Sequence, residues 1–174
     1  MDNIMSTVFN ADQAPKPVGL YPHARQVGNL LFLSGVGPRQ AGSADIPGVE
    51  LDPQGKIINY DIEAQCHSVF QNVSTILASA GANWMDLVDV TVFLTNMDDD
   101  FTAYNRIYAE YFAENMPCRT TVEVNKLPTP IAIELKCIAA LPANSHDSPN
   151  SSKLSNLDSP GKSSTDATPE NKGV

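Results

Sequence analysis

Two kinds of hydrophobic repeat follow each other in the middle of the chain and restrict its fold more than any other feature. Over residues 62–80, apolar side chains recur at intervals of three and four, which predicts an amphipathic helix. Asn59 or Asp61 can cap its start, and Gly81 suits its end. Over residues 87–95, apolar and polar residues alternate, which predicts a half-buried strand.

The same two periods continue towards both ends of the chain. Residues 24–27 and 30–34 flank Gly28-Asn29, a pair that predicts a two-residue hairpin. A second helix follows Asp98-Asp99-Asp100, and alternating strands are predicted over residues 119–126 and 131–141. The order is β-β-α-β-α-β-β. We therefore predict an α+β fold in which a mixed sheet carries both helices on one face.

The three consecutive carboxylates at positions 98–100 allow two interpretations. Negative charge is favourable at a helix N-terminus because of the helix dipole. A metal site is the alternative, since carboxylates are common ligands of hard cations. Adjacent residues point in different directions and no histidine is near, so we favour the helix N-terminus.

The composition changes near Pro142. Residues 143–174 are rich in Ser and Asn, lack aromatic residues and cannot bury enough apolar surface to offset the entropy of ordering. We predict a folded domain over residues 1–142 and a disordered Ser/Asn/Pro-rich tail over residues 143–174. Within the domain, residues 1–22 read as irregular and residues 37–56 as a long loop with a short strand near Val49–Leu51.

Charge and cysteine usage exclude several classes of protein. The 174 residues include 11 basic and 20 acidic side chains, a net charge of −9, which argues against nucleic-acid binding and against a polybasic membrane anchor. No apolar stretch approaches a membrane span, and the N-terminus does not resemble a secretory signal. Cys66, Cys118 and Cys137 form no C-x-x-C pair. We expect a cytoplasmic protein with reduced, buried thiols.

The last two predicted strands carry the residues of most chemical interest. Alternation lets Arg119 and Glu134 both lie on the helix-free face of the sheet, together with Phe93. Arg119 is either a surface residue or a fork that holds a carboxylate through two hydrogen bonds. Glu134 either forms a plain ion pair with Lys136 or Arg119, or moves protons and orients water. The helix-free face meets either solvent or further copies of the subunit.

Six short motifs follow one another between residues 17 and 141. They are Gly19-Leu20-Tyr21-Pro22, Leu31-Phe32-Leu33-Ser34-Gly35, Asn105-x-x-Tyr108-x-x-Tyr111-Phe112, Pro117-Cys118-Arg119-Thr120-Thr121-Val122-Glu123-Val124, Leu127-Pro128 and Ile133-Glu134-Leu135-Lys136-Cys137-Ile138-Ala139. In this order they resemble the RidA (YjgF) family of enamine and imine deaminases.

Four further segments resemble one subgroup of that family, the 2-aminomuconate deaminases. They are Lys16-Pro17-Val18-Gly19, Tyr21-Pro22-His23-Ala24-Arg25, Ser34-Gly35-Val36-Gly37-Pro38-Arg39 and Ile46-Pro47-Gly48-Val49. The chain departs from the commoner members in two ways: Thr121 stands where they carry cysteine, and the tail has no counterpart.

The resemblance implies a chorismate-mutase-like fold assembled as a homotrimer, with sites between subunits and with no cofactor or metal. Arg119 would clamp a substrate carboxylate, and Glu134 would activate the attacking water. A dicarboxylate would need a second cation, for which Arg25 and Arg39 are the candidates. The other expected pocket residues are Tyr21, Ser34, Gly35 and Cys118.

The implied reaction is hydrolytic deamination of an anionic enamine or imine. The leading hypothesis is conversion of 2-aminomuconate to the corresponding oxo acid and ammonia, in the catabolism of aromatic compounds. One alternative is a broad deaminase of 2-iminobutanoate or 2-aminoacrylate-type imines. Another is a non-enzymatic, ligand-binding or chaperone-like trimer. The presence of both Arg119 and Glu134 disfavours this last alternative, because binding a carboxylate requires only the arginine.

Overall fold

Eight strands, two α-helices and one 3-10 turn make up the described residues, 6–142, of this computed structural model. The strands are β1 (Ser6–Phe9), β2 (Ala24–Val27), β3 (Leu30–Leu33), β4 (Val49–Leu51), β5 (Ile57–Tyr60), β6 (Leu87–Leu94), β7 (Cys118–Glu123) and β8 (Ile133–Ala140). The helices are α1 (Ile62–Ser79) and α2 (Met97–Phe112), and the 3-10 turn (Trp84–Asp86) precedes β6.

The main sheet contains six strands in the order β1-β2-β3-β8-β6-β7, and β4 and β5 form a separate hairpin. Every neighbouring pair in the main sheet is antiparallel except β6 and β7, which run parallel. Helix α2 makes the crossover that a parallel pair requires. The predicted mixed sheet is therefore confirmed, together with the predicted order of its main elements.

Helix α1 begins as the sequence predicts, whereas α2 begins earlier, at Met97, and includes the three aspartates that were expected to precede it. The Asp61 side chain accepts hydrogen bonds from the backbone N–H groups of Glu63 and Ala64 at the start of α1, and Gly81 follows its end with φ of +74°. The side chain of Asn96 caps α2, and the three aspartates occupy its first turn. Among the residues described, no three possible metal ligands come together.

Two strands were not predicted. Strand β1 forms within the segment that the sequence analysis described as irregular, where its four residues pair with β2 along the sheet edge. Strand β5 lies beyond the predicted short strand β4 and closes a hairpin with it. Both are short edge elements whose pairing depends on distant partners rather than on a long local pattern.

The two faces of the main sheet differ in character. One face carries the helices, and its side chains are buried, as Leu135 and Cys137 illustrate with 0% exposure. The helix-free face carries Glu134, which pairs across the sheet with Phe93 as expected. Its apolar members include Phe32, 36% exposed, and the adjacent Ile138. Such a face can pack against a further layer of protein.

The described residues bear on the expectations for the cysteines, for membrane spans and for the tail. Cys66 and Cys137 are buried, but Cys118 is exposed at the start of the edge strand β7, so the expectation of a buried thiol is wrong there. Neither helix within residues 6–142 has both the length and the apolar character needed to cross a bilayer. The predicted tail lies outside the described residues, so the domain boundary stays a prediction.

Candidate functional site

A cleft of about 340 Å³ opens beside the carboxylate of Glu134, and we call it the Glu134 cleft. Four parts of the chain line it: the N-terminal segment, the loop after β3, the loop before β8, and strand β8 itself. Its lining includes Tyr21, Ser34, Gly35, Arg39, Glu134 and Lys136. Its size falls within the usual range for pockets that bind small molecules.

Glu134 is half-buried and packs directly against the backbone of Gly35. A Cβ atom at Gly35 would lie 2.5 Å from Glu134 Oε1, so any other residue there would force the carboxylate to move. Burial raises the pKa of the Glu134 carboxyl, and the positive charge of Arg39 acts in the opposite direction. The Glu134 carboxylate therefore binds a proton more readily than an exposed glutamate does. It also contacts the backbone of Gly35, which has no side chain.

The loop after β3 is fixed to strand β8 and to the N-terminal segment. Val36 and Leu135 exchange backbone hydrogen bonds of 2.8 and 2.9 Å, which hold the loop beside Glu134. The Ser34 hydroxyl donates to the carbonyl of Pro22 at 2.6 Å. The Gly35 backbone is therefore held on both sides.

Helix α1 holds the following part of the same loop through two polar side chains. The amide of buried Asn72 donates to the carbonyls of Gly37 at 2.8 Å and Arg39 at 2.7 Å. The Ser68 hydroxyl donates to the carbonyl of Pro38 at 2.7 Å. Three consecutive carbonyls are thus bound to one helix. These anchors lie 30 or more positions from their partners in the loop, so no local sequence pattern indicates them.

A buried histidine orders the segment that carries Tyr21. His23 Nδ1 accepts a hydrogen bond from the backbone N–H of Ala11 at 3.0 Å, and Nε2 donates to the Pro15 carbonyl at 3.0 Å. These two contacts together define one neutral tautomer, protonated on Nε2. Within the same segment, the Tyr21 hydroxyl accepts a hydrogen bond from the backbone N–H of Val18 at 3.3 Å. These hydrogen bonds fix the position of the proline-rich segment beside the cleft.

Arg119 does not lie on the helix-free face, so that prediction is wrong. In the register of β6 and β7, Arg119 is opposite Val90, a fully buried residue of the helix-bearing face. Its guanidinium lies 4.6 Å from the ring centroid of Tyr108 and donates to Asn105 Oδ1 at 2.8 Å. The alternation of residues along β7 shows which of them share a face, but it does not show which face meets the helices. Because β7 is an edge strand, a polar side chain such as Arg119 can be accommodated on its helix-bearing face.

Two buried hydroxyls lie near Arg119. The hydroxyls of Tyr104 and Thr121 each lack a well-formed hydrogen bond to another described residue. Burial raises the pKa of Tyr104 to about 12, so its hydroxyl keeps its proton at neutral pH. Arg119 itself remains exposed, and its exposed edge is available to a further molecule.

The structure separates the residues that the sequence grouped as one pocket. The Glu134 cleft contains Tyr21, Ser34, Gly35, Arg39 and Glu134, but not Arg119, Cys118 or Arg25. Cys118 pairs with Asp89 on the helix-free face of β7.

Arg25 donates to Ser6 Oγ at 3.0 Å and lines a separate depression with Val8 and Leu20. The sequence indicates Lys136 only as an ion-pair partner of Glu134, yet Lys136 lines the cleft. Its position two residues after Glu134 on β8 was the signal that could have identified it.

This chain, with its small α+β fold and the Glu134 cleft, is similar to several known proteins. The family model described as Endoribonuclease L-PSP matches residues 11–141. A RutC family protein of Pyrococcus horikoshii is 40% identical over 136 residues, which cover 78% of this chain and 98% of that protein. The chloroplastic Reactive Intermediate Deaminase A of Arabidopsis thaliana is 34% identical over 140 residues, covering 80% and 68%. The chain belongs to this family, the RidA (YjgF) family.

A solved structure agrees with the fold. The crystal structure of E. coli TdcF with bound serine matches with a TM-score of 0.66 at 28% identity, covering 77% of this chain and 98% of TdcF. The α+β fold with two helices on one face of the sheet is thus that of the RidA family.

Proposed function

We propose that this protein is a hydrolytic deaminase of enamine and imine carboxylates. The observation that carries the proposal is Glu134, a half-buried carboxylate with a raised pKa that lies against the Gly35 backbone in a cleft. A group of this kind can take a proton from water and return it within one reaction cycle. The similarity to a protein named Reactive Intermediate Deaminase A supports the same chemistry.

We infer that each site is shared between subunits of a homotrimer. Arg119 and Glu134 lie on opposite faces of the sheet within one chain, so a site that uses both needs a second chain. The helix-free face offers apolar surface for such contacts, including Phe32 and Ile138. Arg119 of one subunit would then complete the Glu134 cleft of another, and its guanidinium would bind the substrate carboxylate through two hydrogen bonds.

The proposed reaction needs orientation, charge stabilisation and one proton shuttle. The enamine tautomerises to its imine, whose carbon is electrophilic. Water attacks that carbon in the N-protonated imine, a C–O bond forms as the C=N electrons move onto nitrogen, and Glu134 accepts one proton from the water to leave a neutral carbinolamine. Glu134 then returns that proton to the nitrogen, the C–N bond breaks as the C=O bond forms, and the hydroxyl proton passes through Glu134 to the departing ammonia, which leaves as ammonium. The products are a 2-oxo acid and ammonia, and the protein supplies positioning and electrostatics.

The proposed substrate is 2-aminomuconate, because four segments of the chain resemble the 2-aminomuconate deaminases. A second candidate is a broad deaminase of small imines such as 2-aminoacrylate. The serine bound to TdcF favours this candidate, since serine is a small amino acid with one carboxylate. The Arabidopsis relative is named as a deaminase of a reactive intermediate. The two candidates differ in substrate length and in the number of carboxylates.

Ammonia release from freshly generated 2-aminomuconate and 2-aminoacrylate tests the proposal. We expect the wild-type chain to accelerate release from one or both and Glu134→Gln to abolish it, since glutamine preserves the shape but not the base. Arg119→Met should lose about 2–4 kcal/mol of transition-state binding. Wild-type turnover that persists in Glu134→Gln, or no turnover of either substrate, contradicts the proposal. Gel electrophoresis of an RNA incubated with the same preparation tests the activity in the family description Endoribonuclease L-PSP.

A further inference from the structure

We propose that Arg39 and Lys136 form a subsite for the second carboxylate of a dicarboxylate substrate inside the Glu134 cleft. The proposal rests on the proposed function, because it assigns a substrate class to the same cleft. It also decides between the two arginines that the sequence leaves open. The charge of the cleft, the fixed position of Arg39 and the placement of Arg25 all support this subsite.

The charged lining of the Glu134 cleft is positive on balance. Arg39 and Lys136 contribute two cations, and Glu134 contributes one carboxylate. The whole chain carries a net charge of −9, so cations gathered in one cleft are needed to attract an anion there. If Arg119 of a neighbouring subunit binds the carboxylate next to the reacting carbon, the surplus charge inside the cleft matches one further carboxylate.

Arg39 is pre-organised to bind an anion. Its backbone carbonyl accepts a hydrogen bond from buried Asn72, and its Nη2 donates to the Lys16 carbonyl at 2.8 Å. One guanidinium N–H is thereby used to fix the side chain, and the other donors of the planar fork stay available. Little rotamer entropy remains to be lost when an anion binds, which favours affinity.

Lys136 approaches the same anion from the strand. It follows Glu134 by two positions on β8, so both side chains leave the sheet on its helix-free face. Lys136 is exposed and forms no salt bridge with other described residues. Its charge is therefore not neutralised by a neighbouring carboxylate of the described chain.

Arg25 does not fit this role. Its guanidinium donates to Ser6 Oγ at the outer edge of the sheet, and it lines a depression that shares Tyr21 with the cleft but contains neither Glu134 nor Lys136. A substrate bound next to Glu134 would reach Arg39 without leaving the cleft. The geometry therefore favours Arg39 over Arg25.

The test compares trans,trans-muconate with trans,trans-sorbate, two six-carbon dienes that differ by one carboxylate and lack the reacting nitrogen. Their affinities for the full-length chain would be measured by calorimetry at pH 8. We expect the wild type to bind muconate roughly 10–100-fold more tightly than sorbate. Arg39→Met and Lys136→Met should each reduce this ratio towards one. Lys56→Met, a lysine outside the cleft, is the matched control and should keep the wild-type ratio.

Each outcome decides the question. A wild-type ratio near one, or a ratio that survives Arg39→Met, overturns the subsite, and a fall confined to Arg25→Met assigns it to the other arginine. Ammonia release is scored separately. Release from 2-aminoacrylate with a ratio near one would support the deaminase and overturn the subsite. A high ratio that Arg39→Met abolishes, with no ammonia from either substrate, would support the subsite and overturn the deaminase.

Discussion

The close approach of Gly35 to Glu134 makes one backbone position decisive for the site. A methyl group at Gly35 would lie 2.5 Å from Oε1 and 2.9 Å from Cδ of Glu134, so the carboxylate would have to move. A displacement of about 1 Å of a catalytic group can reduce turnover about 100-fold. Glycine is therefore needed at this position because the Glu134 carboxylate occupies the space of a side chain, and not because the backbone angle is unusual.

We therefore expect Gly35→Ala to reduce kcat/KM at least about 100-fold and to destabilise the fold by about 1–3 kcal/mol. Denaturant unfolding and ammonia release would measure the two effects. The double variant Gly35→Ala/Glu134→Ala supplies the control, since removing the carboxylate removes the clash. It should recover most of the lost stability and none of the activity. A stability loss that persists in the double variant would show that Glu134 is not the clashing group.

The raised pKa of Glu134 predicts the pH dependence of the reaction. Glu134 must be ionised to accept a proton from water, so kcat/KM falls as pH decreases through its pKa, which lies above the ordinary value for glutamate. The titratable and charged side chains that share the cleft with it are Tyr21 and Arg39 from other segments and Lys136 from the same strand, joined in the proposed trimer by Arg119 of a neighbouring subunit.

Because Arg39 lowers the pKa of Glu134, Arg39→Met should move the acidic limb of the profile to higher pH. Lys56→Met should leave the limb in place. A limb at or below the ordinary glutamate pKa, or one that Arg39→Met does not move, would contradict the assignment of Glu134 as the base.

At the scale of single elements, helix α1 does more than cover the sheet. Its side chains Ser68 and Asn72 hold three consecutive carbonyls of the loop that carries Arg39. Removing the Asn72 amide leaves two carbonyl groups without their donor in a part-buried site. The loop would then open, and Arg39 would lose its fixed position.

Asn72→Ala should therefore cost about 2–3 kcal/mol of stability and weaken muconate binding more than sorbate binding. Gln71→Ala, the exposed neighbour on the same helix, should change stability by less than about 0.5 kcal/mol. Chemical denaturation and the ligand titration described above provide both measurements. Equal effects of the two substitutions would contradict a positioning role for Asn72.

The elements with long periodic patterns could be predicted from sequence, and the contacts that assemble the site could not. Helix α1 and strand β6 follow local repeats, so their existence and buried faces follow from spacing. Strand β1 is only four residues long and depends on pairing with β2. The faces of β7 depend on its register with β6, which placed Arg119 opposite Val90 and reversed its expected orientation. The choice of Arg39 over Arg25 likewise required the tertiary structure.

At the scale of the whole molecule, the helix-free face is expected to be an interface. Phe32 is 36% exposed on that face, whereas Phe101 is 37% exposed on helix α2, away from it. We expect Phe32→Asp to convert a trimer to monomers and to abolish turnover, because a buried charge disrupts an apolar contact. Phe101→Asp, matched in residue type and exposure, should leave the assembly trimeric. Light scattering reports the mass, and a wild-type chain that is monomeric would contradict the shared site.

The most direct test of the central claim is activity after mixing two inactive variants. In a shared site, Arg119→Met subunits still supply Glu134, and Glu134→Gln subunits still supply Arg119. Trimers formed from an equal mixture by unfolding and refolding should regain about a quarter of the wild-type ammonia release, the fraction of sites with both intact partners. Each variant alone, treated in the same way, should stay inactive. No recovery in mixed trimers, with their composition confirmed by mass spectrometry, would contradict a deaminase site built from Arg119 and Glu134 of different subunits.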